Sequence, residues 1–196
     1  GDAFSIGGNH FNHCARKNVN LTYCVMDNNV YGLTKKQTSP TSPIGFKSKT
    51  DMWGAIDKPI NPMQQAISAG ATFVARTTHT NPKHLLSMME AAMDHKGFAF
   101  IECLSECTEF YDGAFDSSNP RKGGEFKEIS EDHDPTDENA AYALAEELVP
   151  GYFGVYYQIS RPTKQDKEAE VNSKFLEKTK GMEDWEILQQ NFDKMK

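Results

Sequence analysis

The sequence predicts an α/β fold: a mostly parallel sheet flanked by helices, with a helical C-terminal extension. Three observations carry this. Leu21 to Met26, Ala71 to Thr77 and Phe98 to Leu104 are short apolar runs of strand length. Between them stand two helix starts, Asn61-Pro62 and Asn81-Pro82, each with asparagine as cap and proline at the first helical position. The resulting β-α-β-α-β order implies parallel strands joined by right-handed crossovers.

Taken in order, Ile6 to Lys17 reads as a helix packed after a glycine turn. His10 and His13 stand three apart on it, with no further ligand at metal spacing, so packing or surface hydrogen bonding is expected of them. Leu21 to Met26 is the first strand. Residues 32–60 hold Pro40, Pro43 and Pro59 among many serines and threonines, which predicts a long ordered loop. Loops of this length inside a domain are often functional. Gly70 ends the first capped helix and Gly97 the second, on which Leu85, Met88, Met89 and Ala92 share a face. His79, His84 and His95 flank helix ends, where capping is the expected role. Residues 112–138 are rich in Asp, Gly, Ser and Pro and read as an irregular surface loop. Asp137 to Leu148 reads as a helix and Tyr152 to Ile159 as an aromatic strand. From Pro162 the composition becomes charged. Val171 to Thr179 and Met182 to Asp193 read as amphipathic helices, with Trp185, Leu188 and Phe192 as a docking face for the same subunit or a partner. The expected division is a main domain, 1–160, and a charged helical extension, 161–196.

Composition narrows the function. A chain of 196 residues can bury one good core. Its net charge of −7 disfavours a general nucleic-acid-binding surface. No apolar stretch approaches membrane-spanning length, and a cytoplasmic enzyme is expected. The four cysteines, at 14, 24, 103 and 107, do not suggest a secreted disulfide framework. Cys14, Cys24 and Cys103 read as small core residues.

The most informative stretch runs from Val25 to Pro40. An apolar strand ends abruptly in Asp27-Asn28-Asn29, and the C-terminal edge of a parallel sheet is where ligands sit. Acidic and amide oxygens there suit a hard cation. A glycine-containing loop with Lys35 and Lys36 follows, suited to anionic groups. The chain opens on Gly1-Asp2, with Gly7-Gly8-Asn9 soon after. Glycines ahead of a helix let backbone N–H groups approach a phosphate, although Gly7-Gly8 fits close helix packing better. An Asn-Asn pair is also common in plain turns, and Gly32 suits a turn position with positive φ.

These residues carry a resemblance. Gly-Asp…Ile-Gly-Gly-Asn-His…Met-Asp-Asn-Asn-Val-Tyr-Gly-Leu-Thr-Lys-Lys-Gln-Thr-Ser-Pro-Thr-Ser resembles the thiamine-diphosphate site of the β subunit of 2-oxoacid:ferredoxin oxidoreductases, in particular the 2-oxoglutarate type. The likeness covers roughly residues 1–110 and continues more weakly to about residue 160. It implies a thiamine-diphosphate-binding fold, of which residues 1–160 are the C-terminal part. It also implies an N-terminally incomplete chain, with the family's metal-binding Asp expected just before residue 1.

The resemblance assigns roles by position. Asn28, through its side chain, and Val30, through its main-chain oxygen, become Mg²⁺ ligands. Gly1, Asp2, Gly32 and Leu33 become thiamine-diphosphate contacts. Lys35 takes the substrate carboxylate, with Lys36 as its exposed neighbour. Cys107 becomes one ligand of a [4Fe–4S] cluster, preceded here by Glu106 where the family has Pro. The implied reaction is oxidative decarboxylation of a 2-oxoacid to an acyl-CoA, with coenzyme A, an α subunit and ferredoxin as partners. A non-redox thiamine-dependent decarboxylase or synthase would share Asn28 but need no Cys107. A non-catalytic subunit fragment is the third reading.

Overall fold

The computed structural model describes residues 1–148 and 151–195. The chain divides into two compact units, Gly1–Thr163 and Lys164–Lys196.

The first unit is a four-stranded sheet with helices on both faces. Helix α1 (Gly8–Lys17) precedes β1 (Leu21–Asp27), then α2 (Pro62–Ser68), β2 (Phe73–Thr78), α3 (Pro82–Asp94), β3 (Phe98–Leu104), α4 (Glu138–Leu144) and β4 (Gly154–Gln158). The order across the sheet is β1-β3-β2-β4. Strands β1, β3 and β2 are parallel, and β4 lies antiparallel against β2. The step from β1 to β2 passes over β3, and the step from β2 returns to it. The two crossover helices pack on opposite faces, as two connections of one hand require when they travel in opposite directions.

Both central strands are buried along their whole length, which explains their unbroken apolar runs. On one face Phe98 and Phe100 meet Phe11 of α1 edge-on, with ring centroids 5.6 and 5.3 Å apart. On the other, Phe73, Ala75, Ala99 and Ile101 pack against Ala92, Met88 and Met89 of α3. The expected caps form: Asn61 accepts the Gln64 N–H at 3.1 Å and Asn81 the His84 N–H at 3.3 Å.

Several boundaries differ from the sequence reading. Helix α1 starts at Gly8 because residues 2–7 form turns. Strand β1 extends through Asp27, which pairs with Leu104. Helix α4 is shorter than expected, with Asp137 as its cap, accepting the N–H groups of Asn139 and Ala140. The histidines bond strand ends more than they cap helices: His79 Nδ1 lies 3.0 Å from the Leu104 carbonyl, His84 Nδ1 2.9 Å from Thr77 Oγ1, and His95 Nε2 2.8 Å from Thr72 Oγ1. Cys24 is exposed rather than buried, because β1 is an edge strand. Among the described residues, no helix is long and apolar enough to cross a membrane.

The second unit holds α5 (Lys164–Lys178) and α6 (Asp184–Asp193). Lys164–Glu168 and Lys174–Glu170 pair one turn apart along α5. The Glu183 N–H donates to the Glu186 carboxylate at the start of α6. Neither helix has a buried residue, and Phe175, Trp185, Leu188 and Phe192 are exposed.

Candidate cofactor site

Parallel pairing sets the C-terminal ends of β1 and β3 side by side. The Ser105 N–H donates to the Asp27 carbonyl at 2.8 Å, so the loops that follow both strands leave the sheet together. Open sheets of this type bind ligands at that edge.

The loop after β1 begins with an Asx turn. Asn28 Oδ1 accepts the Val30 N–H at 3.2 Å, and Asp27 Oδ1 accepts the Asn29 N–H at 3.0 Å. Asn29 takes a left-handed φ of 55°, a conformation that asparagine tolerates better than most residues. Residues 31–37 then close on themselves, with the Tyr31 N–H donating to the Gln37 carbonyl and the Lys36 N–H to the Tyr31 carbonyl. Further along, the hydroxyls of Thr38, Ser48 and Thr50 gather around the Asp51 carboxylate. These bonds lower the pKa of Asp51 and keep the proline-rich segment ordered, as its sequence suggested.

Gly1, Asp2, Asn28, Val30, Gly32, Leu33 and Thr34 line one open cavity of about 500 Å³, together with the Tyr23–Met26 stretch of β1. The two glycines differ in what they allow. A Cβ on Gly1 would run into the Tyr31 ring, and one on Gly32 would lie 3.5 Å from Cys107 Sγ and 3.7 Å from Asn28 Nδ2. Gly32 is not in a positive-φ conformation; beside Asn29, the left-handed residues of this loop are Lys35 (70°) and Lys36 (69°). Gly7 fits its packing reading, since a Cβ there would lie 2.9 Å from the Asp2 carbonyl. Gly8 does not, having open space around it. Asn28 Oδ1 is an amide oxygen of the kind a hard cation takes, and the cavity has room for a diphosphate-sized anion.

Lys35 does not line this cavity. It is exposed, one residue beyond Thr34. Lys36, expected to be the exposed neighbour, is half-buried, with its ammonium 5.7 Å from the centre of the Phe46 ring. The aromatic platform that holds it was not visible in local sequence.

Cys107 packs beside Val30, Phe46 and Ala55, against the loop that follows β1. Its loop is tied by Glu106, whose carboxylate accepts the Gly113 N–H at 3.1 Å and lies 3.5 Å from Lys122 Nζ. Cys103 is buried in β3, and burial pushes its thiol up to about 12. A [4Fe–4S] cluster takes four thiolates. Among the described residues, no group of three or more His, Cys, Asp or Glu is placed to hold a metal. The residues present therefore do not fit a whole cluster.

Behind the loop lies a buried ion pair that sequence reasoning missed. Arg76 Nε donates to Glu102 Oε2 at 2.6 Å, and both side chains are almost wholly inaccessible. Burial, with the Asp27 carboxylate adding to it and Arg76 opposing, pushes the Glu102 carboxyl up to about 7. The signal was present: β2 and β3 each contain one full charge, of opposite sign, and buried charges come paired.

Comparison with known proteins agrees with this geometry. Residues 1–103 match the family "thiamine pyrophosphate enzyme, C-terminal TPP binding domain". The 2-oxoglutarate oxidoreductase subunit KorB of Mycobacterium tuberculosis is 43% identical over 133 residues, 68% of this chain and 35% of that protein. The 2-oxoglutarate synthase subunit KorB of Methanocaldococcus jannaschii is 45% identical over 118 residues, 60% of this chain and 43% of that protein. The chain thus aligns with less than half the length of these two relatives. A solved 2-oxoglutarate:ferredoxin oxidoreductase from Magnetococcus marinus, with 2-oxoglutarate, coenzyme A and succinyl-CoA bound, superposes with a TM-score of 0.86 at 36% identity, covering 97% of this chain and 64% of that one.

Proposed function

This chain belongs to the thiamine pyrophosphate enzymes through their C-terminal TPP-binding domain, and we propose that it is the cofactor-binding part of the β subunit of a 2-oxoacid:ferredoxin oxidoreductase of the 2-oxoglutarate type. The reaction is oxidative decarboxylation of a 2-oxoacid, with coenzyme A, to an acyl-CoA. The electrons go to ferredoxin, and an α subunit completes the enzyme. The acidic balance of the chain and its four free cysteines suit a cytoplasmic location.

One observation supports this reading above the others: the residues of the strand-end motif and of Gly1-Asp2 line a single cavity. Asn28 would offer its side-chain oxygen to Mg²⁺, and Val30 its main-chain oxygen. Gly1, Asp2 and the backbone of Gly32 and Leu33 would take the thiamine diphosphate. When bound, that cofactor supplies the carbanion chemistry by which a 2-oxoacid loses CO₂. The chain's own contribution is orientation and charge. Asn28 and Val30 are fixed by one turn, and Lys35 stands just outside the cavity, where its ammonium can neutralise a substrate carboxylate. Cys107, in van der Waals reach of the Gly32 position, favours the redox reading over a non-redox decarboxylase. We assign it as one thiolate ligand of a [4Fe–4S] cluster.

The test is reduction of ferredoxin or viologen by the assembled enzyme, with its α partner, across a panel of 2-oxoacids in the presence of coenzyme A. The proposal expects reduction that requires thiamine diphosphate and is best with 2-oxoglutarate. Cofactor binding without reduction by any 2-oxoacid would favour the non-redox alternative.

A further inference from the structure

The loop after β1 divides two cavities, and its residues alternate between them. Asn28 and Val30 line the first, of about 500 Å³. Asp27 and Asn29 line a second, of about 310 Å³, whose wall also includes Thr41, Tyr111 and Glu102. On this rear side the loop is tied to a segment more than ten residues further along. The Thr41 hydroxyl donates to Asp27 Oδ1 at 2.7 Å. The Ser42 hydroxyl donates to the Asn29 carbonyl at 2.6 Å and accepts the Ser39 N–H at 2.8 Å. With its amide nitrogen turned toward the acceptors, the Asn29 side chain adds bonds of 3.2 Å to Asp27 and to Thr41. Asp27, Asn29, Thr41 and Ser42 are all buried, so little water competes for these bonds.

We propose that Thr41 and Ser42 are positioning residues for the cofactor cation: acting through Asp27 and Asn29, they hold the turn that aims the Asn28 side chain and the Val30 carbonyl into the first cavity. This rests on the reading of that cavity as the Mg²⁺–thiamine diphosphate site. Neither residue lines the cavity, so neither touches the cofactor. Their leverage comes from Asn29 and Asp27: asparagine visits both the left-handed and the ordinary backbone regions, and the bonds from Ser42 and Thr41 select the observed one. If Asn29 relaxed, Asn28 and Val30 would turn away together, because they flank it. Mg²⁺ demands near-ideal octahedral geometry, so a small misalignment of two oxygens at once weakens the site more than its loss of bonds suggests. Outer partners of metal ligands commonly carry about 10- to 100-fold in affinity.

The experiment uses the assembled enzyme and four proteins: wild type, Thr41→Val, Thr41→Ser and Ser42→Ala. Thiamine diphosphate is titrated calorimetrically at several Mg²⁺ concentrations, and the melting temperature of the cofactor-free protein is recorded. Thr41→Val keeps the shape and loses the hydroxyl; its Mg²⁺-dependent affinity should fall about tenfold, while Thr41→Ser stays close to wild type. Ser42→Ala should fall in the same direction and carries the test if Thr41→Val does not fold. A merely structural role would lower the melting temperature and leave the affinity of the folded protein unchanged, and that result overturns the proposal. Equal losses in Thr41→Val and Thr41→Ser overturn it too, since the hydroxyl would then not matter. If wild type itself binds no thiamine diphosphate, the function proposed for the cavity fails first, and this inference with it.

Discussion

Asn28 Oδ1 accepts the backbone N–H of Val30 at 3.2 Å, so one turn fixes both the side chain and the carbonyl assigned to the cation. An amide oxygen has two lone pairs. One can serve the Val30 N–H while the other faces a metal, and the pair arrives at the cavity already ordered. Pre-ordering matters for Mg²⁺, which gives up its hydration water reluctantly.

Asn28→Ala should therefore weaken Mg²⁺-dependent thiamine diphosphate binding by at least about tenfold and leave the fold intact. The side chain sits beyond the end of β1, outside the hydrophobic clusters. Calorimetric titration together with a melting curve checks this. Unchanged affinity would remove Asn28 from the metal site.

How much of this was legible in the sequence follows from which interactions are local. Asn61 and Asn81 each bond an N–H three residues on, and both caps were read correctly. The burial of β2 and β3 was visible in their uninterrupted apolar runs. The likeness to 2-oxoacid:ferredoxin oxidoreductase β subunits holds up, because the loop motif is contiguous. Missed features depend on pairing between distant segments. The exposure of Cys24 depends on β1 standing at the edge of the sheet among the described residues. The burial of Lys36 depends on Phe46, and the hold on Asp27 depends on Thr41. Arg76 and Glu102 are 26 residues apart in sequence. They meet because β2 and β3 pair in register, Arg76 opposite Glu102.

That pair yields a pH prediction. The folded protein holds a proton on Glu102 up to about pH 7, well above the ordinary carboxyl value of 4.5. The unfolded chain releases it near that ordinary value. The stabilising contribution is thus complete below about pH 4.5 and is lost as pH rises through about 7. Glu102→Gln should abolish this part of the pH dependence. Below about pH 7 the amide should replace the neutral carboxyl at little cost; above it the variant should lose the carboxylate that pairs with Arg76. Urea unfolding of both proteins between pH 5 and 8 gives the answer. Parallel stability curves would show that Glu102 does not titrate in this window.

The two cysteines near the end of β3 should separate by phenotype. Cys107→Ser in the assembled enzyme should lose iron and visible absorbance while the subunit stays folded. Cys103→Ser puts a hydroxyl where a nearly inaccessible thiol packs, and should lower stability by about 1–3 kcal/mol with iron content retained. Iron analysis and denaturant curves on both variants decide it. Wild-type iron in Cys107→Ser would refute the ligand role.

Lys35 and Lys36 give the sharpest test of the loop's register. Both have left-handed backbone, so substituting either leaves a residue that prefers another conformation, and strain alone would affect them alike. Their side chains differ. The Lys36 ammonium lies over the Phe46 ring, an interaction of about 0.5–1 kcal/mol at a partly exposed site. Lys35 is exposed and follows the last cavity-lining residue. If Lys35 binds the 2-oxoacid carboxylate equally in the ground and transition states, Lys35→Ala should raise KM with little change in kcat. Thiamine diphosphate affinity should be nearly unchanged. Lys35→Arg need not restore KM, because a planar guanidinium differs from a compact ammonium in shape and hydration. Lys36→Ala should cost stability instead, through the lost contact with Phe46, and leave KM near wild type. Steady-state kinetics on the three variants, with 2-oxoacid varied at saturating coenzyme A, separates these outcomes. A larger KM effect from Lys36 would mean that it leaves Phe46 to reach the substrate; no effect from either would mean that the carboxylate is bound by a group outside this loop.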